Sequence, residues 1–468
     1  MAEQKKTAGE ILQEELVLTP KNGGIQLTDK EIEEANAFCE GYKKFLDAGK
    51  TECESVDYTL ELLKKNGYEE YEAGKKYKAG DKIYINNRGR ALLIAAIGSR
   101  PLTDGTSMIA SHIDVPRLDL KPRPLYEEAQ LAMLKTHYYG GVRKYQWVTV
   151  PLALHGVVIK GDGSTLQICI GEDDSDPVFC IGDLLPHLAK DQNKRTLAEG
   201  IKGEEMNVLF GALPFRDEKV QEKVKLAVLK LLKEKYDMTE ADFLSADLSL
   251  VPAHKARDVG LDRSMLGAYG HDDRVCAYTS LIASLETPTP EYTWVNILAD
   301  KEETGSDGNT GLSSRFLEYF IMELAEAQGV SGIEVLAKSK CLSADVNAAF
   351  DPTFPEVHEK KNAAYLNYGV TVTKYTGSGG KYSTNEASAE FMGEVRRLFD
   401  SKNILWQTGN LGKVDQGGGG TVAKFISKLG VDVIDVGVPV LSMHAPFEVV
   451  GKIDVYSTFK AFDAFLKR

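Results

Sequence analysis

The stretch YTWVNILADKEETGS, Tyr292 to Ser306, decides the fold. Tyr292 to Ala299 is an apolar run of strand length, and it is followed at once by Asp300, Lys301 and the adjacent carboxylates Glu302 and Glu303. A continuous apolar strand that ends abruptly in acids is the pattern of a buried strand in an α/β sheet, where ligands gather in the crevice beyond the carboxyl ends of the strands. Two adjacent glutamates in isolation mark a solvated helix start, where acids suit the positive end of the helix dipole. Beside a hydrolytic metal they can divide the labour, Glu303 holding an ion while Glu302 moves protons.

Four further segments repeat the pattern. Met108 to Ser111 is an apolar run closed by His112, with Asp114 two positions on and therefore on the same face of an extended chain. Gly270-His271-Asp272-Asp273-Arg274 crowds two acids and an imidazole ahead of the helix-like Val275 to Leu285. Cys341-Leu-Ser-Ala-Asp345 and Val436 to Pro446, which contains His444, again place a potential ligand after an apolar run. Each residue alone fits a cap, a core histidine or a surface acid. Together His112, Asp272, Glu303, Asp345 and His444 form an oxygen and imidazole donor set without thiolate, suited to two divalent ions, zinc first, with cobalt or manganese also fitting.

The order SHIDVP, GHDDR, DKEETGS, SADV and SMHAPFE resembles the aspartyl aminopeptidase family of dinuclear zinc metallopeptidases, along nearly the whole chain. The resemblance implies His112, Asp345, Glu303 and His444 as terminal ligands and Asp272 as the carboxylate between the metals, with Asp273 as the alternative bridge. It implies catalytic roles for Glu302, as acid and base, and for Asp114, which would hold His112 in one tautomer by accepting its other ring N–H. Metals on the order of 3.5 to 4 Å apart would activate a shared water. His271 stands where the family carries an apolar residue, leaving it as a support for the site or a turn histidine.

Substrate contacts also follow from the resemblance. His187 is similar to a histidine that reaches a neighbouring subunit's active site, Lys374 lies near a pocket lysine, and Gly420 and Thr421 resemble a Gly-Thr segment that touches the peptide backbone. Asp351 replaces a histidine of the family pattern, and a carboxylate beside the pocket works against acidic substrate side chains. The implied activity is removal of N-terminal residues, acidic ones among them, from short peptides. A dinuclear carboxypeptidase or N-acyl amino acid deacylase is the competing enzyme class, and a catalytically silent binding scaffold the third reading. Runs of glycine at Gly377 to Gly380 and Gly417 to Gly420 lack the Lys-Ser/Thr ending of a phosphate-binding loop.

The rest of the chain supplies the organisation. Asp29 to Leu46 and Ser55 to Lys65 have helical spacing, and Lys82 to Asn86, Ala91 to Ile97 and Ser107 to His112 read as strands. After Asp119 come short β-like pieces, Tyr145 to Leu152, Gly156 to Lys160 and Leu166 to Ile170, the last two joined by a Gly161-Asp-Gly-Ser hairpin, then a charged helix over Asp217 to Lys235. The ligand-bearing pattern resumes near Leu261. The expected fold is therefore α/β, a mixed-sheet zinc-peptidase catalytic domain flanked by helices. It is split into residues 1–121 and 259–468 around an inserted β-rich unit at 122–258. The resemblance makes that insert the driver of homo-oligomerisation into a tetrahedral dodecamer with enclosed active sites.

A length of 468 residues exceeds one ordinary core, and 43% hydrophobic content is that of a globular chain. The net charge of −13, with both signs intermixed, argues against nucleic acid and membrane surfaces as partners. Cys39, Cys53, Cys169, Cys180, Cys276 and Cys341 show no paired spacing, as expected of reduced thiols in a cytoplasmic protein. Met1 to Glu15 has no apolar secretion core, and no later run reaches the roughly 18 to 20 apolar residues of a membrane span. His137, His155, His254 and His358 have no ligand partner at useful spacing and are read as packing or surface residues.

Overall fold

The computed structural model describes residues 6–287 and 289–468; the first five residues of the Met1 to Glu15 reading lie outside them. The main sheet has nine strands. Its centre runs Ala91–Ala96, Trp294–Ala299, Ser107–His112, Lys340–Ser343 and Asp432–Gly437. The last four of these are mutually parallel, and Ala299 is level with His112. Ala91–Ala96, Trp294–Ala299 and Ser107–His112 are buried at every position, which explains their unbroken apolar sequence: layers cover both faces.

The two faces carry separate cores. Ile109, Leu298, Leu342 and Ile434 pack with helices Asp29–Ala48, His271–Glu286 and Lys452–Leu466. Met108, Ala110, Ile297, Cys341 and Val433 face helices Phe316–Ala327, Gly332–Lys338 and Ala423–Ser427. Thr28 with Glu31 and Thr51 with Glu54 form reciprocal capping boxes that fix where helices Asp29–Ala48 and Glu52–Lys65 begin.

Between the fourth and fifth strands of the main sheet in sequence, Ser107–His112 and Trp294–Ala299, lies a seven-stranded antiparallel sheet, ordered Thr165–Ile170, Leu152–Ile159, Ala246–Pro252, Arg117–Glu128, Leu131–Tyr139, Val208–Gly211 and Cys180–Ile181. It has its own core around Leu118, Leu134, Trp147, Leu154 and Val208. The expected hairpin is present, with Val158 opposite Leu166 and Ile159 opposite Thr165. Two sequence expectations need correction. Tyr145 to Leu152 is not a strand: a short 3₁₀ turn at Lys144–Gln146 precedes a buried Trp147, and Thr149 adopts φ 62°, which interrupts extended pairing until Leu152. The charged helix begins at Lys223 rather than Asp217, because the Glu127 carboxylate accepts the Val224 and Lys225 N–H groups and defines the first turn there.

A third sheet of five strands, Arg257–Val259, Met265–Ala268, Glu448–Gly451, Pro439–Leu441 and Asn347–Ala348, leads into helices His271–Glu286 and Lys452–Leu466 of the main layer. It positions two ligand-bearing turns. Met265–Ala268 feeds directly into Gly270 and helix His271–Glu286, and the turn between Pro439–Leu441 and Glu448–Gly451 carries His444 with φ 65°. Among the described residues no helix is long and apolar enough to cross a membrane.

Candidate metal centre

The parallel strands deliver their ends to one place. His112 closes its strand, Glu302 and Glu303 follow the neighbouring strand in a 3₁₀ turn, Asp345 lies two residues beyond Lys340–Ser343, and Asp272 sits in the first turn of His271–Glu286. The ligand atoms of His112, Asp272 and Glu303, and those of His112, Asp273 and Asp345, each lie within 4.8 Å of one another. Asp272 occupies the middle: its Oδ1 is 3.2 Å from His112 Nε2 and its Oδ2 is 3.1 Å from His444 Nε2. Asp345 Oδ1 is 3.9 Å from His112 Nε2, and Glu303 Oε2 is 3.6 Å from His444 Nε2. All five sequence-predicted ligands therefore converge.

Each imidazole is held from behind. His112 Nδ1 is 3.0 Å from the Asp114 carbonyl oxygen and 3.3 Å from its carboxylate. The same carboxylate accepts the N–H groups of Glu302 and Glu303, both at 3.1 Å, so one buried acid aligns a histidine and the turn bearing both glutamates. On the other side, Glu448 accepts from the His444 N–H at 2.6 Å and the Asp272 N–H at 3.1 Å. The Gly141 carbonyl is 2.8 Å from His444 Nδ1, which leaves Nε2 facing the acids.

The charge balance asks for a cation. Asp272, Asp273, Glu302, Glu303 and Asp345 crowd around only two imidazoles. Burial, then the neighbouring negative charge of Asp272, pushes Glu303 well above the usual carboxylate range; burial and Asp273 do the same to Asp345. Burial raises Glu302 to about 7, with Asp272 and Asp114 adding repulsion. Burial opposes a charged His444, yet its bond to Asp272 and the charge of Glu303 lift it to about 10. Protons thus stand where positive charge is missing. Glu303 Oε1 and Asp273 Oδ1 are buried without any hydrogen-bond partner. Buried acids left in this condition are costly unless a cation joins them, and the donor set of imidazole nitrogen and carboxylate oxygen fits zinc-type ions.

The remaining expected residues make none of these contacts. His187 is exposed on the segment after Cys180–Ile181, and Lys374 is exposed after Val370–Thr373. Gly420 is exposed, while the Thr421 hydroxyl donates to Asp435 at 2.7 Å. Asp351 caps its own turn by accepting the Thr353 N–H. His271 faces away from the acids: its ring nitrogens meet the Tyr42 hydroxyl at 2.8 Å and the Leu266 carbonyl at 3.1 Å, and burial lowers its pKa to about 3, so it is a neutral core histidine. Reading His155 as a packing residue is corrected too, since it bridges Glu54 at 2.7 Å and Glu172 at 3.1 Å.

Sequence reasoning missed Glu448, Tyr139 and Gly141. Glu448 had a signal, closing the SMHAPFE motif four residues after His444; Tyr139 and Gly141 reach the site from the second sheet and had none.

Known proteins resemble this chain along nearly its whole length. A probable M18 family aminopeptidase 1 of Clostridium acetobutylicum is 48% identical over 454 residues, covering 95% of this chain and 98% of that protein. The crystal structure of an M18-family aminopeptidase from Thermotoga maritima superimposes with a TM-score of 0.92 at 43% identity, covering 96% of this chain and 99% of that one. The S. cerevisiae mApe1 dodecamer shares the fold at 22% identity and TM-score 0.74, covering 93% of this chain and 97% of that one. The family model described as aminopeptidase I zinc metalloprotease (M18) matches residues 45–466, and the chain belongs to that family.

Proposed function

We propose that the chain is a dinuclear metallo-aminopeptidase that removes N-terminal residues from short peptides. The carrying observation is Asp272, whose two carboxylate oxygens face different histidines, as a carboxylate shared by two ions would. In this reading His112 and Asp345 complete one ion's shell, and Glu303 and His444 the other's. Zinc is the ion of choice, and cobalt or manganese would also suit the donors. When bound, such ions supply Lewis acidity to a peptide carbonyl and lower the pKa of a water.

The chain's own residues do the rest. Glu302 hydrogen-bonds through its N–H to Asp114, which fixes its backbone, while its carboxyl stays among the acids with a pKa near the working range of a general base. It takes the attacking water's proton and returns it to the departing amine. Asp114 keeps His112 Nε2 free for its ion by engaging Nδ1. Lys374, Gly420 and Thr421 contact the peptide, Lys374 favouring an acidic first side chain and Asp351 opposing it.

The unit at 122–258 drives homo-oligomerisation, with a tetrahedral dodecamer as the assembly and His187 completing a neighbouring subunit's site. Leu184, Leu185 and Leu188, which flank His187, are each at least 50% exposed, an apolar strip suited to burial against a second copy. The six cysteines are free, as suits the cytoplasm.

A peptide panel tests this reading. Dipeptides opening with Asp, Glu, Leu, Lys or Ala, with free or blocked termini, are assayed with zinc, cobalt or manganese. Cleavage of free-amine and carboxyl-blocked peptides, with none of amine-blocked ones, is expected. Cleavage that instead requires a free carboxyl or an acylated amine would reassign the enzyme to carboxypeptidase or deacylase chemistry.

A further inference from the structure

Tyr139, the last residue of a second-sheet strand, and the two glycines that follow it touch both halves of the metal centre. Tyr139 ends strand Leu131–Tyr139, is 8% exposed, and donates its hydroxyl to Asp114 Oδ2 at 2.7 Å. Asp114 is the acid behind His112. Gly140, at φ 74°, lies against Glu303: a methyl group there would stand 3.2 Å from both Glu303 Cβ and Oε2 and 3.4 Å from Pro116. Gly141 supplies the carbonyl 2.8 Å from His444 Nδ1. The Tyr139 ring is itself fixed, with the Arg117 guanidinium 4.2 Å and the Lys301 ammonium 5.3 Å from its centroid, and Lys301 directly precedes Glu302.

From this geometry we infer that Tyr139-Gly140-Gly141 is a clamp by which the inserted sheet sets the metal affinity of the centre, with Tyr139 a positioning residue for the His112 half. The inference rests on the metal-centre reading above. Its physical basis is that a ligand's orientation depends on what holds its other ring nitrogen. Tyr139 is the side chain that anchors the second oxygen of the carboxylate behind His112. Removing the tyrosine hydroxyl leaves the carboxylate with the Glu302 and Glu303 N–H groups alone, both at 3.1 Å, and loosens the group that backs the 3.0 Å contact between His112 Nδ1 and the Asp114 carbonyl. Loss of a hydrogen bond made directly to a ligand typically weakens metal binding by roughly 10- to 100-fold, and a contact one step behind the ligand sits at the low end of that range. Gly140 enforces the same register sterically, because any side chain there must displace Glu303 or abandon a backbone conformation that disfavours L side chains.

The test uses the full-length, metal-loaded protein. Wild type, Tyr139→Phe and Gly140→Ala are loaded with Co²⁺, their visible spectra recorded, and the ion withdrawn by a competing chelator. Tyr139→Phe keeps the ring and its stacking on Arg117, so folding should survive with a modestly lower midpoint after metal removal, and affinities are compared per folded molecule. It should nevertheless release one of two ions roughly 10-fold more readily, with an altered cobalt spectrum. Gly140→Ala should disturb the ion beside Glu303 and His444. Wild-type chelator competition and spectrum in both variants would overturn the clamp while leaving the metal centre standing. A variant whose metal-free midpoint falls while its affinity per folded molecule stays unchanged would also overturn it, showing a purely structural role. A wild-type chain that takes up no cobalt or zinc would remove both the centre and the clamp.

Discussion

Two buried clusters place imidazoles among carboxylates, and they reach opposite conclusions. His155, from the second sheet, lies between Glu54 and Glu172, and Glu172 in turn pairs with Lys50 and Lys255, each at 2.6 Å. Burial opposes the charge of His155, but hydrogen bonds to Cys169, Glu172 and Glu54 raise its pKa to about 11. Burial likewise opposes that of Glu172, and bonds to His155 and the two lysines bring it down to about 2. Protein cations satisfy that cluster completely. At the strand ends, five acids share two imidazoles, several are driven toward protonation, and Glu303 Oε1 and Asp273 Oδ1 are orphaned. Residue type alone therefore does not mark a metal site; an unbalanced charge with unpaired oxygens does. Glu54, His155 and Cys169 are also spaced to hold an ion, but Lys50 and Lys255 already supply the positive charge there.

The comparison can be broken most forcefully at Asp272. Asp272→Ala should abolish binding of both ions and all turnover, because both half-sites lose a shared oxygen donor; full metal content by elemental analysis would move the bridge to Asp273. Glu302→Gln comes next. It should keep both metals while reducing kcat by about 10²- to 10⁴-fold, the usual contribution of a positioned proton carrier; near-wild-type kcat would reject Glu302 as the base.

Smaller effects sharpen the other side. His155→Gln should leave metal content untouched and lower stability by about 3 kcal/mol, the low end for removing one partner of a buried ion pair, since the lysines still neutralise Glu172. Denaturant midpoints beside metal analysis check both parts. A pH series gives the smallest signal. The pKa of His155 rises on folding from 6.5 to about 11, so its contribution is fully present below pH 6.5 and fades as pH climbs toward 11. Wild type should therefore lose more stability across that window than His155→Gln, and parallel curves would contradict the charged histidine.

Much of the site was legible because its ligands follow apolar strands. His112, Glu302, Glu303 and Asp345 sit at or just past the ends of parallel strands, so a one-dimensional pattern of apolar run then ligand encoded a three-dimensional convergence. The strands Ala91–Ala96, Trp294–Ala299, Ser107–His112 and Lys340–Ser343 of the nine-stranded sheet were legible for the same reason, while Val370–Thr373 and Trp406–Thr408 at one edge were not read. What escaped depended on contacts between distant segments. Glu54 caps its helix through one oxygen, yet its other oxygen meets His155, 101 residues away. Tyr139 looks like an ordinary strand residue, and its hydroxyl finds Asp114 only because the second sheet folds back onto the first. Tyr145 to Leu152 failed as a strand since β-branched and aromatic residues record a preference for pleated, half-buried surfaces, which a buried tryptophan in a turn also satisfies.

The central claim is that two cations sit on either side of Asp272. Crystals of the zinc-loaded protein, measured at the zinc absorption edge, test it directly. Two anomalous peaks are expected, one among His112, Asp272 and Asp345 and one among Asp272, Glu303 and His444. A peak beside His155 and Cys169 with none at Asp272, or no ordered zinc anywhere, would contradict the account.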